Sequence, residues 1–295
     1  MRFGGHESFA VREGWLSRGL ELVTQAPQLL DDDFAEDHLG VGRNMAKSIR
    51  HWLVATGLAE QSGDGIATLA PSKLGTLVRR KDPHLLDTGT WWILHVNLVA
   101  NPDHAFTWNW FFNQWSLQRF DRAPCIEALK RYAGSKLPRT PSARTIERDV
   151  ATLLQSYARP VPNRPDDPED SAESPFQDLA LLHHHSASGY YQLNYDPKNV
   201  GANLFGYAIS LMPRAAGRSE LSISELERAD YSPGRCFLLR GDDIYDLVQR
   251  FESEDRRSFA LRSQAGERGL KFDGSKKPLD WARAHFMATE ATTHA

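Results

Sequence analysis

Near the start of the chain, Gly5-His6-Glu7-Ser8 sets an imidazole beside a carboxylate. Histidine is the side chain that changes charge near neutral pH, and an adjacent carboxylate can orient it for proton transfer. His6 and Glu7 are therefore candidate catalytic residues. The same four residues also suit a structural hydrogen-bond knot, and they lack the second histidine of an HExxH zinc motif. Asp196-Pro197-Lys198 carries the Asp-x-Lys half of a metal-dependent nuclease site. Such chemistry needs a second fixed carboxylate. Asp166 and Asp178 are the upstream choices, and Asp166 lies in a proline-rich acidic run, a poor place for a rigid ligand. Consecutive His183, His184 and His185 cannot all face one ion on regular backbone, so a loop or strand end is expected there. Neither GxxxxGK[ST] nor GxGxxG occurs, which argues against phosphate-loop ATP hydrolysis and nicotinamide chemistry. Cys125 and Cys236 are the only cysteines and form no CxxC. A disulfide framework and a four-cysteine zinc site are excluded.

A different chemistry is written in the basic residues. Arg43, Asn44, Lys47 and Arg50, with His51 beside them, fall opposite the apolar set Met45, Ile49, Trp52 and Leu53. Helix-turn-helix proteins lay such a helix in the major groove. Arginine pairs with guanine, asparagine with adenine, and lysine neutralises phosphate. Arg144 and Arg148, with Ser142 as N-cap and Thr145 one turn in, make a second helix of the same kind, whose start could hold a phosphate. Duplex DNA is the partner that these residues suggest. A solvated polar face, or a face that docks a protein, fits the same pattern. Phe106-Thr107-Trp108-Asn109-Trp110-Phe111-Phe112 could stack unpaired bases, but aromatics this dense more often build a core.

These residues need elements to hold them. Trp15, Leu16, Leu20 and Val23 predict a helix over 12–25, and 34–39 a short second one. The helix carrying Arg43 runs from Asn44 to Thr56, with Gly57 as its stop. Leu58–Gln61 and Ile66–Leu69 flank Ser62-Gly63-Asp64-Gly65, the pattern of a hairpin and, in this setting, of a wing. Pro71-Ser72 opens a further helix. Residues 86–135 read as aromatic-rich helices, 142–157 as the second basic helix, and 176–182, 204–211, 224–229 and 242–251 as helices. Tyr190–Tyr195 and Cys236–Leu239 have strand character, and the tail beyond Phe286 is expected to fray. The fold class expected is mainly α with small β-hairpins (α+β). It has a winged-helix-like domain over 1–85, an aromatic-rich segment with a second winged-helix-like part over 86–160, an acidic Pro-rich linker over 161–178 and an α+β domain over 179–295.

The 295 residues include 35 Lys and Arg against 38 Asp and Glu, a net charge of −3. A strongly basic chain is thereby excluded, but the sum hides a segregation. Residues 130–160 hold seven basic side chains against Glu147 and Asp149, whereas acid gathers at 31–37 and 161–178. Local field, more than net charge, steers an encounter with DNA. No apolar run is long enough for a membrane span, and the start lacks an export pattern, so a cytoplasmic location is expected. All of the 8 Trp but Trp281 precede residue 116.

Several stretches together resemble one bacterial family. They are Phe3-Gly4-Gly5-His6-Glu7-Ser8-Phe9 with Arg12 and Trp15-Leu16, and Leu39-Gly40-Val41-Gly42-Arg43-Asn44-Met45 with Ser48-Ile49-Arg50 and Trp52. Weaker matches are Asp82-Pro83, Trp92 with Leu94-His95, Thr107-Trp108, Thr145-Ile146 with Arg148-Asp149-Val150, and Ser232-Pro233-Gly234. The chain is similar to the SspB-like family, domain of unknown function 4007, which includes the DNA-nicking component of single-strand phosphorothioation systems. The resemblance implies a role in anti-phage DNA sulfur modification, beside a cysteine desulfurase, an ATPase and a sulfurtransferase-like enzyme. It implies binding and nicking of DNA. A divalent ion, Mg or Mn, would serve that chemistry by polarising phosphate oxygens and activating water. The resemblance assigns no catalytic set.

Overall fold

A computed structural model describes residues 3–30, 35–61, 68–161, 174–264 and 267–293. The fold is mixed α/β, largely helical with small sheets, and the chain divides into two compact units, Met1–Asn194 and Tyr195–Ala295.

The first unit begins with an irregular segment and then α1 (Trp15–Gln25), α2 (Ala35–Leu39) and α3 (Arg43–Ala55). α1 buries Trp15, Leu16, Gly19, Leu20 and Val23, a stripe at helical spacing that packs on α3. α3 buries Ala46, Ile49, Trp52 and Leu53. Two short antiparallel strands follow, β1 (Ala59–Gln61) and β2 (Leu69–Pro71); the expected turn at Ser62–Gly65 lies outside the described residues. α4 (Lys73–Lys81) opens on Ser72, whose hydroxyl accepts the Gly75 N–H, and closes on Arg79, Arg80 and Lys81, which suit the negative end of the helix dipole. Asp82 makes the corner beyond it, accepting from Leu86 N, Asp87 N and Thr90 Oγ1. α5 (Thr88–Ala100) is buried nearly all round, and α6 (Phe106–Gln114) packs against it. Phe106, Trp108, Trp110, Phe111, Phe112 and Trp115 are all buried. The aromatic run is core.

β3 (Arg119–Phe120) leads to α7 (Arg122–Lys136) and α8 (Ala143–Tyr157), which pack together. The unit closes with β4 (Ala158–Val161), β5 (Leu182–His185) and β6 (Tyr190–Leu193). The sheet order is β3-β6-β5-β4, with β4 and β5 parallel. Here the structure departs from the expected small hairpins. The strands before and after the acidic stretch join one sheet, and the division of the chain falls at Asn194 rather than within 161–178. Parallel strands must be joined by a connection of a dozen or more residues, which sets β4 and β5 far apart in sequence. Residues 176–182 also differ from the expected helix. Pro175–Leu179 is a single 3-10 turn, and Leu182 already pairs in β5.

The second unit comprises α9 (Ala202–Leu211), β7 (Glu220–Ser222), α10 (Ile223–Arg228), α11 (Pro233–Cys236), α12 (Gly241–Glu254), β8 (Phe259–Gln264), β9 (Glu267–Phe272) and α13 (Pro278–Thr293). The order β7-β9-β8 is antiparallel throughout. The apolar run Cys236–Leu239 is not a strand. Ser232 caps the short helix α11 with Pro233 in its first turn, and Leu238 turns out of it with φ 50°. The tail is not frayed as expected: α13 continues to Thr293, anchored by Trp281 and Phe286, which are buried.

α10 starts on a capping box. Ser222 Oγ accepts the Glu225 N–H at 3.1 Å, and Glu225 Oε2 accepts the Ser222 N–H at 2.9 Å. Hydrogen bonds from Arg218, at 2.7 and 3.2 Å, hold the Glu225 carboxyl down to about 2. A carboxylate whose folded-state pKa is depressed stabilises above its unfolded value and loses that contribution as pH falls through the folded one. Glu225→Ala should cost about 1 kcal/mol at pH 7, the usual worth of a cap. Urea denaturation of variant and parent should converge as pH drops from 4.5 toward 2; a constant gap would refute the assignment.

Candidate nucleic-acid interface

Asp149 lies on the buried face of α8, between Ile146 and Val150. A carboxylate there must be satisfied by donors, because burying it unpaired costs several kcal/mol. The segment 3–9 and α6 supply them. Oδ1 accepts the Gly4 N–H at 3.0 Å and meets His6 Nε2 at 3.1 Å, and Oδ2 accepts the Thr107 hydroxyl at 3.0 Å. His6 Nδ1 accepts the Ser8 N–H at 3.1 Å. Nε2 therefore carries the ring proton and donates it to Asp149. Both ring nitrogens are occupied, and His6 is only 2% exposed. Its ring packs against His51, Trp52 and Trp108. Trp52 Nε1 donates to the Phe9 carbonyl at 3.0 Å. Gly5 passes so close to the His51 ring that a Cβ there would collide with it.

This arrangement holds the segment 3–9 between α3, α6 and α8. The partner of His6 is Asp149 and not Glu7, whose backbone has φ 50°. The geometry makes His6 a positioning residue: one ring nitrogen meets Asp149, the other accepts the Ser8 N–H, and the ring fixes the loop.

The basic residues lie on the helices that this loop joins. Arg43, Asn44 and Lys47 are exposed on the first turns of α3; Arg50 is half-buried and His51 is buried. Arg144 and Arg148 are exposed on α8. Arg148 Nε donates to Ser8 Oγ at 2.5 Å, which ties the second basic helix to the loop. Ser142 Oγ caps the Thr145 N–H at 3.2 Å and meets the Thr145 hydroxyl at 2.8 Å. Sequence reasoning missed Asp149 and Thr107. A lone carboxylate on the apolar face of a helix was the available signal.

The second unit holds Asp196 and Lys198. Lys198 Nζ donates to the Asp196 carbonyl at 2.7 Å. Burial pushes its ammonium down to about 8, while the carboxylates of Asp196 and Asp243 pull the other way. Asp243, from the first turn of α12, is the other carboxylate that acts on Lys198; Asp166 lies outside the described residues, and Asp178 belongs to the first unit. His183, His184 and His185 form β5, where alternation sends neighbours to opposite faces.

The model of the family described as "Protein of unknown function (DUF4007)" matches residues 3–285. The chain belongs to this family. Two solved structures share its fold. One, described as "SspB crystal structure", is 24% identical with a TM-score of 0.81, over 99% of this chain and 96% of that one. The other, "Magnesium ion-bound SspB crystal structure", is 23% identical with a TM-score of 0.81, over 99% and 95%. No curated protein matches the chain. The Gly-His-Glu-Ser segment of this DUF4007 chain is thus the knot described above. Magnesium is named for that neighbour alone. In this chain both oxygens of Asp149 are taken, Asp196 and Asp243 flank an ammonium, and among the described residues no three His, Cys, Asp or Glu stand together as ligands. Magnesium is commonly held through one or two carboxylates together with substrate phosphates and water, an arrangement that needs no such cluster. Among the described residues, too, no helix is long and apolar enough to cross a membrane.

Two outcomes follow from these geometries. Asp149→Ala leaves three donors without their acceptor and should destabilise the first unit by about 3 kcal/mol in chemical denaturation, more than Asp149→Asn, which keeps one acceptor oxygen. Equal stability of Asp149→Ala and parent would refute the knot. Lys198 should titrate near 8, read by NMR of methyl-labelled lysines with Lys198→Met to assign the signal. Between that value and 10.5 the unfolded chain holds a proton that the folded one has shed, so stability should rise with pH across this window. A midpoint at the ordinary lysine value would exclude the buried environment.

Proposed function

We propose that this chain is the DNA-binding, strand-nicking component of a phosphorothioation system, in which α3 enters the major groove as the recognition helix of a winged-helix-like domain and α8 adds phosphate contacts. The observation that carries the reading is the polarity of α3. Its apolar face is packed against α1, and Arg43, Asn44 and Lys47 on its first turns are exposed. In recognition helices it is the N-terminal residues that contact base edges. Arg148, tied through Ser8 to the loop that packs on α3, supports a joint grip by Arg144, Arg148 and the α3 residues. The β1–β2 pair is the wing in this reading. Family membership supports the setting: a cytoplasmic chain acting beside a cysteine desulfurase, an ATPase and a sulfurtransferase-like enzyme, which would receive access to the backbone at the nick. In this proposal Glu7 stands near the reacting phosphate and His6 holds the loop that carries it.

The engagement of both His6 nitrogens favours a second reading, a non-catalytic winged-helix regulator or assembly platform that binds DNA and cuts nothing. The two separate cleanly. The triple variant Arg43→Ala, Lys47→Ala, Arg50→Ala should weaken duplex binding at least ten-fold. It should also flatten the salt dependence by about 0.9 for each phosphate that is no longer neutralised. Unchanged affinity would refute both readings. Supercoiled plasmid, incubated with the folded protein and Mg²⁺ or Mn²⁺, alone and with its partners, should relax to open circles; intact plasmid in every arm leaves the platform and removes the nickase.

A further inference from the structure

The four-stranded sheet of the first unit has one face that the helices leave partly open. Cross-strand register lays Arg119, Gln192, His183 and Arg159 in one row from edge to edge. Two residues along, on the same face, Tyr190 stands opposite His185. Arg119 and Arg159, on the two edge strands, are exposed, and the residues between them are half-buried. The four strands contain no Asp or Glu, and among the described residues neither arginine makes an ion pair. The rings on this face are stacked. The Arg119 guanidinium lies 3.4 Å from the Tyr190 ring centre, and the His185 ring lies 4.5 Å from it at 24°. The opposite face carries a similar pile of Phe120, Tyr191 and His184, but that one runs into the core, where Phe120 packs on Phe111 and Trp115. The first pile ends on the exposed cation of Arg119.

A guanidinium plane stacked on tyrosine keeps its outer face for another flat π system, and nucleobases use such planes regardless of base identity. The backbone of a second arginine, Arg159, stands three strands from that of Arg119, about 14 Å across the sheet at the usual strand spacing. This arginine suits a phosphate a few nucleotides along an extended strand. Duplex DNA keeps its base faces stacked inside and cannot use the Arg119 plane. We propose that this sheet face binds unpaired nucleotides of a single DNA strand, one base stacking on Arg119 and the backbone running toward Arg159. The site is distinct from the basic faces of α3 and α8 and stands whether or not those helices grip duplex.

Fluorescence anisotropy of a labelled oligothymidylate of about 15 nucleotides, with the full chain, tests it. Arg119→Ala should weaken binding about ten-fold or more, the usual effect of removing one stacking platform. Arg119→Lys, which keeps the charge and loses the plane, should lose most of the same affinity. Arg159→Ala should lower the salt slope by about 0.7, the single-strand value for one phosphate. Duplex affinity, read with the α3 triple variant as the contrasting case, should stay as in the parent for all three. Thermal melts confirm folding of these exposed-site variants. Parent-like oligothymidylate binding by Arg119→Ala, full rescue by Arg119→Lys, or no binding of the oligomer by the parent at low salt would each overturn the proposal.

Discussion

The carboxylate of Asp149 is buried on α8 and takes donors from Gly4, His6 and Thr107. A charge in that position is tolerable only when its hydrogen bonds come from fixed directions. The requirement propagates. Gly4 and Gly5 must come close, which a side chain at Gly5 would prevent by striking the His51 ring. His6 must show Nε2–H to the carboxylate, so Nδ1 needs a donor of its own, and the chain doubles back to offer the Ser8 N–H. Trp52 and Trp108 then enclose the imidazole. α3, α6 and α8, distant in sequence, are set against one loop by one buried carboxyl group.

The basic helices inherit their positions from this packing rather than from their charges. Exposed cations repel one another weakly and are screened by salt, so they cannot hold two helices in register. Apolar faces and the Asp149 knot do so, leaving Arg43, Lys47, Arg144 and Arg148 to present their charge. The overall balance of −3 is compatible with such a field because the acid is placed elsewhere along the chain, at 31–37 and 161–178.

Helices were legible in the sequence where a 3.6-residue apolar stripe met a recognisable cap, as in α1, α3 and α8 with its Ser142. The aromatic core of α5 and α6 was legible by density alone. Of the four-stranded sheet, the strand at Tyr190–Tyr195 was legible and the other three strands were not. These run to four residues at most, too short for period-two alternation to stand out, and the parallel β4–β5 pair joins residues on both sides of a stretch rich in proline and acid. Cys236–Leu239 has strand composition, but Ser232-Pro233 upstream imposes a helical start that local hydrophobicity does not reveal. For the site, the adjacency of His6 and Glu7 suggested a pair that the fold does not use; the real partner is 143 residues away. An amphipathic pattern that places Asp149 between Ile146 and Val150 was the readable trace of it, since a carboxylate on an apolar face must find donors.

Glu7 and Ser8 are consecutive non-glycine residues with φ of 50° and 68°. Left-handed backbone at such residues costs on the order of 1 kcal/mol or more each and persists only where surrounding contacts over-determine it. Here the contacts are identifiable. The turn that Glu7 N–H makes to the Gly4 carbonyl, at 3.1 Å, and Phe9 N–H to the His6 carbonyl, at 2.8 Å, closes the loop on itself. The Ser8 N–H is thereby aimed at Nδ1 of His6, and the Ser8 hydroxyl oxygen accepts from Nε of Arg148. One strained pair of residues thus sets the tautomer of a buried histidine and the direction of a surface arginine at once. A substitution that relaxed the strain by letting the loop open would release both, which is why the histidine and the basic helix must be understood as parts of a single arrangement.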